Sequence, residues 1–239
     1  MSMAPITRTV TYGKSAIRFD VQFRDRKTLD IAVEPNNAVI VTAPRKADLS
    51  VIDRRVKAKA RWILKQQQFF EQFVPRTPPR QYIGGETHLY LGRQYRLKIH
   101  RATPSSVKLI GRYLHIHTPS PNDSALTQAL LNQWYASHTP AKFQARLHTC
   151  FQPFEHLGYQ KPPLKIRTLK KRWGSLTPTG NLLLNRDLIR APRQCIDYVI
   201  THELCHLVHP NHSPDFYQFL SLMYPNWQQK KEQLEKLLA

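Results

Sequence analysis

Cysteine is scarce in this chain, and so are acids and long apolar runs; each shortage removes an explanation. The 239 residues include three cysteines, Cys150, Cys195 and Cys205, widely spaced and in no CxxC pair. An odd, scattered set of thiols supports neither a disulfide framework nor a thiolate zinc knuckle. No apolar run approaches the about 18 residues that cross a bilayer, and the N-terminal "MSMAPITRTVTYGKSAIRFD" has no apolar stretch of signal-peptide length. A cytoplasmic protein without a membrane partner is therefore expected. There are no repeats and no low-complexity tail. Asp and Glu number 16 against 36 Lys and Arg, a formal charge of +20. Such a surface attracts polyanions whatever their sequence, which makes nucleic acid a candidate partner. The chain is also long enough to bury a core without a metal to hold it together.

Hydrophobic patterning predicts an α+β protein with a β-rich N-terminal module over 1–120 and a helical module over 121–239. Alternation in "SAIRFDVQF", "TLDIAVEP" and "AVIVTAP" predicts short antiparallel strands. One long basic helix should follow, capped by Asp48 or Ser50, with Ile52, Val56, Ile63, Phe70 and Phe73 at helical spacing. Its Arg54, Arg55, Lys57, Lys59, Arg61 and Lys65 form the best sequence candidate for a polyanion contact. After "VPRTPPRQ", a second run of strands includes "RQYRLKIHR" and "YLHIHTP". His115 and His117 share a strand face there, but no third metal ligand is near them in sequence. Two helices should then run through "ALTQALLNQWYASHT" and "AKFQARLHTCFQPFEHLG", with Pro140 near the start of the second. The stretch "RWGSLTPTGNLLLN" reads as a hairpin turning at Gly180.

The densest chemistry lies in "THELCHLVHPNHSPDF". Ile196, Val199, Ile200, Leu204, Leu207 and Val208 gather on one helical face, and His202 and His206 project together from the neighbouring face. Imidazoles one turn apart can reach one ion, and Glu203 projects beside them as a base for metal-bound water. A catalytic zinc needs a third protein ligand and keeps one open position. His209 competes with His212 for that place. The Cα of His209 would lie about 10 Å along the axis from that of His202, so three ligands on one straight helix converge poorly. Pro210 and Asn211 favour a chain reversal, and Ser213 and Pro214 start a new helix, so geometry favours His212. Cys205 points away from the proposed ion, Cys195 is too far from it, and Asp215 is not needed. Three imidazoles suit Zn2+.

The segment from "KKRWGSL" through "HELCH", "NHS" and "PNW" resembles the YgjP-like metallopeptidases, a zincin family related to the SprT-like and WLM proteases. The resemblance implies a zincin-like module over 121–239 that hydrolyses peptide bonds, with zinc on His202, His206 and His212 and Glu203 as the catalytic residue. Members usually carry Cys after RWGS, where this chain has Leu176. The hairpin would offer an edge strand to an extended peptide. Arg172, Trp173 and Tyr217 are candidates for contacting substrate or stabilising an oxyanion. The alternative reading is a basic nucleic-acid-binding protein with a structural metal or a vestigial peptidase site, acting on DNA-associated proteins. The two third-ligand candidates separate by experiment. After dialysis against trace zinc, His212→Ala should lose the metal and His209→Ala should keep it; loss in the second variant alone would reverse the assignment.

Overall fold

A computed structural model describes residues 6–34, 36–71, 80–169 and 172–238 and divides the chain into two units, 1–77 and 78–238. In the first unit, strands β1 (Ile6–Tyr12), β2 (Ser15–Arg24), β3 (Asp30–Val33) and β4 (Val39–Pro44) form a sheet in the order β1-β2-β4-β3. Strands β2 and β4 run parallel, whereas sequence alternation suggested antiparallel neighbours throughout. The β3–β4 hairpin folds back so that the more apolar strand takes the interior place: Val39, Val41 and Ala43 of β4 are buried, and β3 is left at the edge. The helix expected over this region is two, α1 (Leu49–Ala58) and α2 (Ala60–Glu71), interrupted at Lys59. Asp48 caps α1 through the Ser50 N–H, and Ile52, Val56, Ala60 and Ile63 stay on one face, packed against the sheet. Arg54, Arg55, Lys57, Lys59, Arg61 and Lys65 are all exposed. Phe73 lies outside the described residues, as does the side chain of Phe70.

The second unit repeats the strand order. Strands β5 (Thr87–Tyr90), β6 (Arg93–Arg101), β7 (Ser106–Ile110) and β8 (Tyr113–Thr118) assemble as β5-β6-β8-β7, again with a parallel central pair. This sheet shares one core with everything after it. Leu97, Leu114 and Ile116 pack in the same cluster as Leu131, Leu182 and Ile196. The division therefore falls at 77/78 and not near 120, because the inner face of this sheet is covered by the helix that follows it.

That helix, α3 (Ser124–His156), is continuous for 33 residues, where two helices were expected. A proline inside a helix costs roughly 3 kcal/mol. Leu131, Trp134, Tyr135, Phe143, Leu147, Phe151 and Phe154 recur at helical spacing on both sides of Pro140, and burying them outweighs that cost. Next come β9 (Leu164–Arg167), β10 (Gly174–Leu176) and β11 (Leu182–Asn185), with β11 between the other two, and then a short 3-10 turn, Arg186–Arg190. Helices α4 (Arg193–Cys205), α5 (Pro214–Met223) and α6 (Trp227–Leu238) complete the unit. No helix among the described residues is long and apolar enough to cross a membrane.

Helix α4 is fixed at its start and at its middle. Arg146 of α3 grips Asp197 with two hydrogen bonds, 2.6 and 2.8 Å. At the start, Gly92 in the β5–β6 turn lies so close to Pro192 that an added Cβ would sit 2.7 Å from the proline Cα, and its φ is +78°. Gly111 has a similar φ of +58° but open space around it. Gly92→Ala should thus cost about 2–4 kcal/mol, backbone strain plus clash, while Gly111→Ala costs only the strain of about 1–2 kcal/mol. Urea unfolding of the two variants gives the comparison; equal losses would mean that Pro192 yields freely.

Candidate active site

Ten of the thirteen residues of α4 are buried, so the helix has little freedom to rotate, and its last turn carries His202 and Glu203. His206 caps the helix, the chain breaks before Pro210, and Ser213 caps α5 by accepting from the Phe216 N–H. This reversal returns His212 to the first helix. His212 Nε2 lies 3.0 Å from His202 Nε2, and the ring centroids of His206 and His212 are 4.6 Å apart. One nitrogen from each of the three imidazoles lies within 4.8 Å of the others.

This donor set fits a zinc ion. Zn–N bonds of about 2.0–2.1 Å place tetrahedral ligand nitrogens about 3.3–3.4 Å apart, close to the observed approach of His202 and His212. Two of the imidazoles, His202 and His212, are also biased toward the neutral form that ligation requires. Burial, with His212 and His206 nearby, pushes His202 down to about 3. Burial likewise lowers His212, with His206 and Lys231 adding to the effect. His206 donates its Nδ1–H to the His209 carbonyl at 3.0 Å, which leaves Nε2 as the nitrogen that could take an ion. His209 thus orients the His206 ring through its backbone, while its own ring packs 5.5 Å from Phe219.

Phe216, fully buried, lies under all three imidazoles, with centroid distances of 5.0, 4.6 and 4.7 Å to His202, His206 and His212. Sequence periodicity places it on the apolar face of α5 and gives no sign that it supports the ligands. Glu203 is 8% exposed, and its Oε2 accepts from the Leu176 N–H at 3.1 Å. Burial pushes its carboxyl up to about 7, against the opposing pull of the Leu176 N–H and Arg172. Gly174 of β10 makes the approach of strand to helix feasible: a Cβ there would lie 2.8 Å from Glu203 Cγ and 2.9 Å from Oε1.

Asn185, 3% exposed, holds the loop that leads into β10. Its side chain donates to the Leu169 and Arg172 carbonyls at 2.9 and 3.2 Å, and its backbone N–H donates to Trp173 O at 2.8 Å. A cleft of about 810 Å³ runs past Ser175, Leu176, Glu203 and the three histidines. Arg172 borders this cleft and bonds Ser175 Oγ at 3.2 Å. Trp173 instead lies half-buried against the core and borders a smaller cavity of about 200 Å³ on the other side of Glu203. Tyr217 stands beside His212, 6.0 Å between centroids, and stacks on Trp227.

Cys205 is buried, and burial pushes its thiol up to about 12; Cys195 is likewise pushed up to about 11. Neither joins the histidines. His115 and His117 acquire a neighbour that sequence separation concealed: His100 of β6 stacks 5.2 Å from each ring. His100 Nε2 lies 3.0 Å from His115 Nδ1, so these two rings satisfy each other by a hydrogen bond. His202, His206 and His212 make up the metal-ligating group found among the described residues.

Three imidazoles beside a buried carboxyl are a donor set that would suit a metal-dependent hydrolase. The chain belongs to the YgjP-like family, whose metallopeptidase domain matches residues 27–237. A search of curated proteins finds no match. Among solved structures, the chain is similar to the metallopeptidase zymogen of Pyrococcus abyssi abylysin, with 22% identity over 40% of this chain and 94% of that one and a TM-score of 0.36. The zymogen of Methanocaldococcus jannaschii jannalysin gives 16% identity over 41% and 91%, with a TM-score of 0.36.

Stability without metal should carry the mark of both buried groups. Below its ordinary 6.5, His202 takes a proton in the unfolded chain but not in the folded one until about 3, so stability falls as pH drops through that window. Glu203 acts oppositely: between its ordinary 4.5 and about 7 only the folded form keeps the proton, so stability falls as pH rises. In chelator, the urea midpoint of Glu203→Gln should climb between pH 4.5 and 6.5 more steeply than that of the wild type. Parallel curves would show that Glu203 is not desolvated.

Proposed function

We propose that the chain is a zinc-dependent peptidase of the cytoplasm that cleaves an extended peptide laid along β10, with Glu203 as general base. The convergence of His202, His206 and His212 beside a desolvated Glu203 carries this reading. These three residues would hold the ion, which when bound polarises the scissile carbonyl and acidifies water.

Glu203 accepts the proton from the attacking water and passes it to the departing amine. A carboxyl poised near 7 suits both transfers, since it neither holds the proton too weakly nor too tightly. The Leu176 N–H fixes one carboxylate oxygen and leaves Oε1 beside Gly174.

Strand β10 is at the edge of its sheet. Trp173 and Thr177 bond toward β11, so antiparallel alternation turns the backbone groups of Gly174 and Leu176 outward. With the Leu176 N–H taken by Glu203, the Gly174 backbone groups and the Leu176 carbonyl suit pairing with a substrate strand. Arg172, at the mouth of the cleft, and Tyr217, beside His212, are the side chains best placed to meet the carbonyl oxygen as charge develops on it.

Glu203→Gln keeps the shape and the ligands but removes the base. It should bind zinc as the wild type does, while the cleavage rate on a mixed peptide library falls by about 10²–10⁴-fold. Undiminished cleavage would take Glu203 out of the mechanism.

A further inference from the structure

Helix α4 has chemistry at both ends. About 15 Å along the axis from His202, where the helix begins, a concavity of about 930 Å³ opens within the second unit. Its wall is aromatic: Tyr90 meets Trp134 edge-on at 4.9 Å between centroids, and Trp134 lies 4.2 Å from His138. Trp134 is 7% exposed, and its indole N–H meets no acceptor among the described residues.

Arg93, Lys108, Lys142 and Arg193 line the same space, and none is paired with a carboxylate among the described residues. No Asp or Glu lines it. Pro192 supplies no side-chain cap to the first turn of α4, whose Arg193 and Gln194 border the concavity.

Four like charges around one hollow repel each other, and an anion relieves that repulsion. An acidic peptide would answer the charges but leave the exposed imidazole of His138 unused. A phosphate attached to a flat heteroaromatic ring answers both, and the volume is in the range of about 300–1,000 Å³ that holds ligands of that size. We propose that this concavity binds a nucleotide unit, its base against the exposed ring of His138, which Trp134 backs, and its phosphate among the four cations. The unit comes either as a free mononucleotide or as one residue of a single strand. This site is separate from the cationic face of α1 and α2, which offers charge in the first unit.

Fluorescence anisotropy of a labelled twelve-residue oligothymidylate on the metal-free full chain, with calorimetric titration by thymidine monophosphate, tests the proposal without peptide cleavage. Binding of the monophosphate identifies the free-nucleotide source; binding of the oligonucleotide alone identifies the strand. In either case Lys142→Glu/Arg193→Glu should weaken the bound probe about tenfold or more at 0.1 M salt. His138→Ala, which changes no fixed charge, should weaken it several-fold, with circular dichroism checking the fold of each variant. Arg54→Glu/Arg55→Glu carries the same change of charge and should matter less than the pocket pair. Three outcomes would overturn the site: neither probe binding, inorganic phosphate binding as well as thymidine monophosphate, or a loss confined to the Arg54/Arg55 variant.

Discussion

The packing of α4 against its neighbours is the constraint on which the site depends. A helix buried over ten of thirteen residues can present its histidines in one direction only, set by where Ile196, Val199, Ile200 and Leu204 find apolar partners. The Arg146–Asp197 pair then fixes the helix along its axis against α3. Each end is closed by a tight backbone approach: Gly92 under Pro192 at the start, and Gly174 against Glu203 at the finish. Positions held by packing at this density move little, which is the precondition for convergent ligands.

Polar groups at the site pay for that burial in different ways. His202 avoids the cost by staying neutral, with Nδ1 left buried and unpartnered. Glu203 resists ionisation until about 7 and has a single backbone N–H to steady it. Both conditions favour activity over stability: a carboxyl that ionises easily makes a weak base, and a protonated imidazole makes no ligand. The surroundings are accordingly apolar, with Phe216 beneath the imidazoles, while Arg172 at the edge of the cleft supplies a compensating charge.

Much of the site was legible because its determinants are local. Spacing by four placed His202 and His206 on one helix face, and Pro210 with Ser213 and Pro214 announced the reversal that brings in His212. Groups arriving from distant parts of the chain left no comparable trace. Asn185 acts on a loop thirteen to sixteen residues upstream. Leu176 contributes only a backbone N–H, which the side-chain code does not describe. His209 competes for the ligand place by sequence, and its supporting contact comes through a backbone carbonyl that fixes the tautomer of His206. On the scale of the fold, strand alternation was clear, but it does not say which strands pair. The parallel pairing of β6 with β8 brought His100 beside His115 and His117, and the burial of Leu97, Leu114 and Ile116 under α3 moved the division of the chain to 77/78. A continuous α3 was hidden by Pro140, because a proline announces its cost locally while the compensating contacts are tertiary.

Phe216 gives the histidine cluster a particular economy. Imidazoles resting on a buried aromatic ring are ordered by hydrocarbon contact, so their convergence is a property of the folded chain itself.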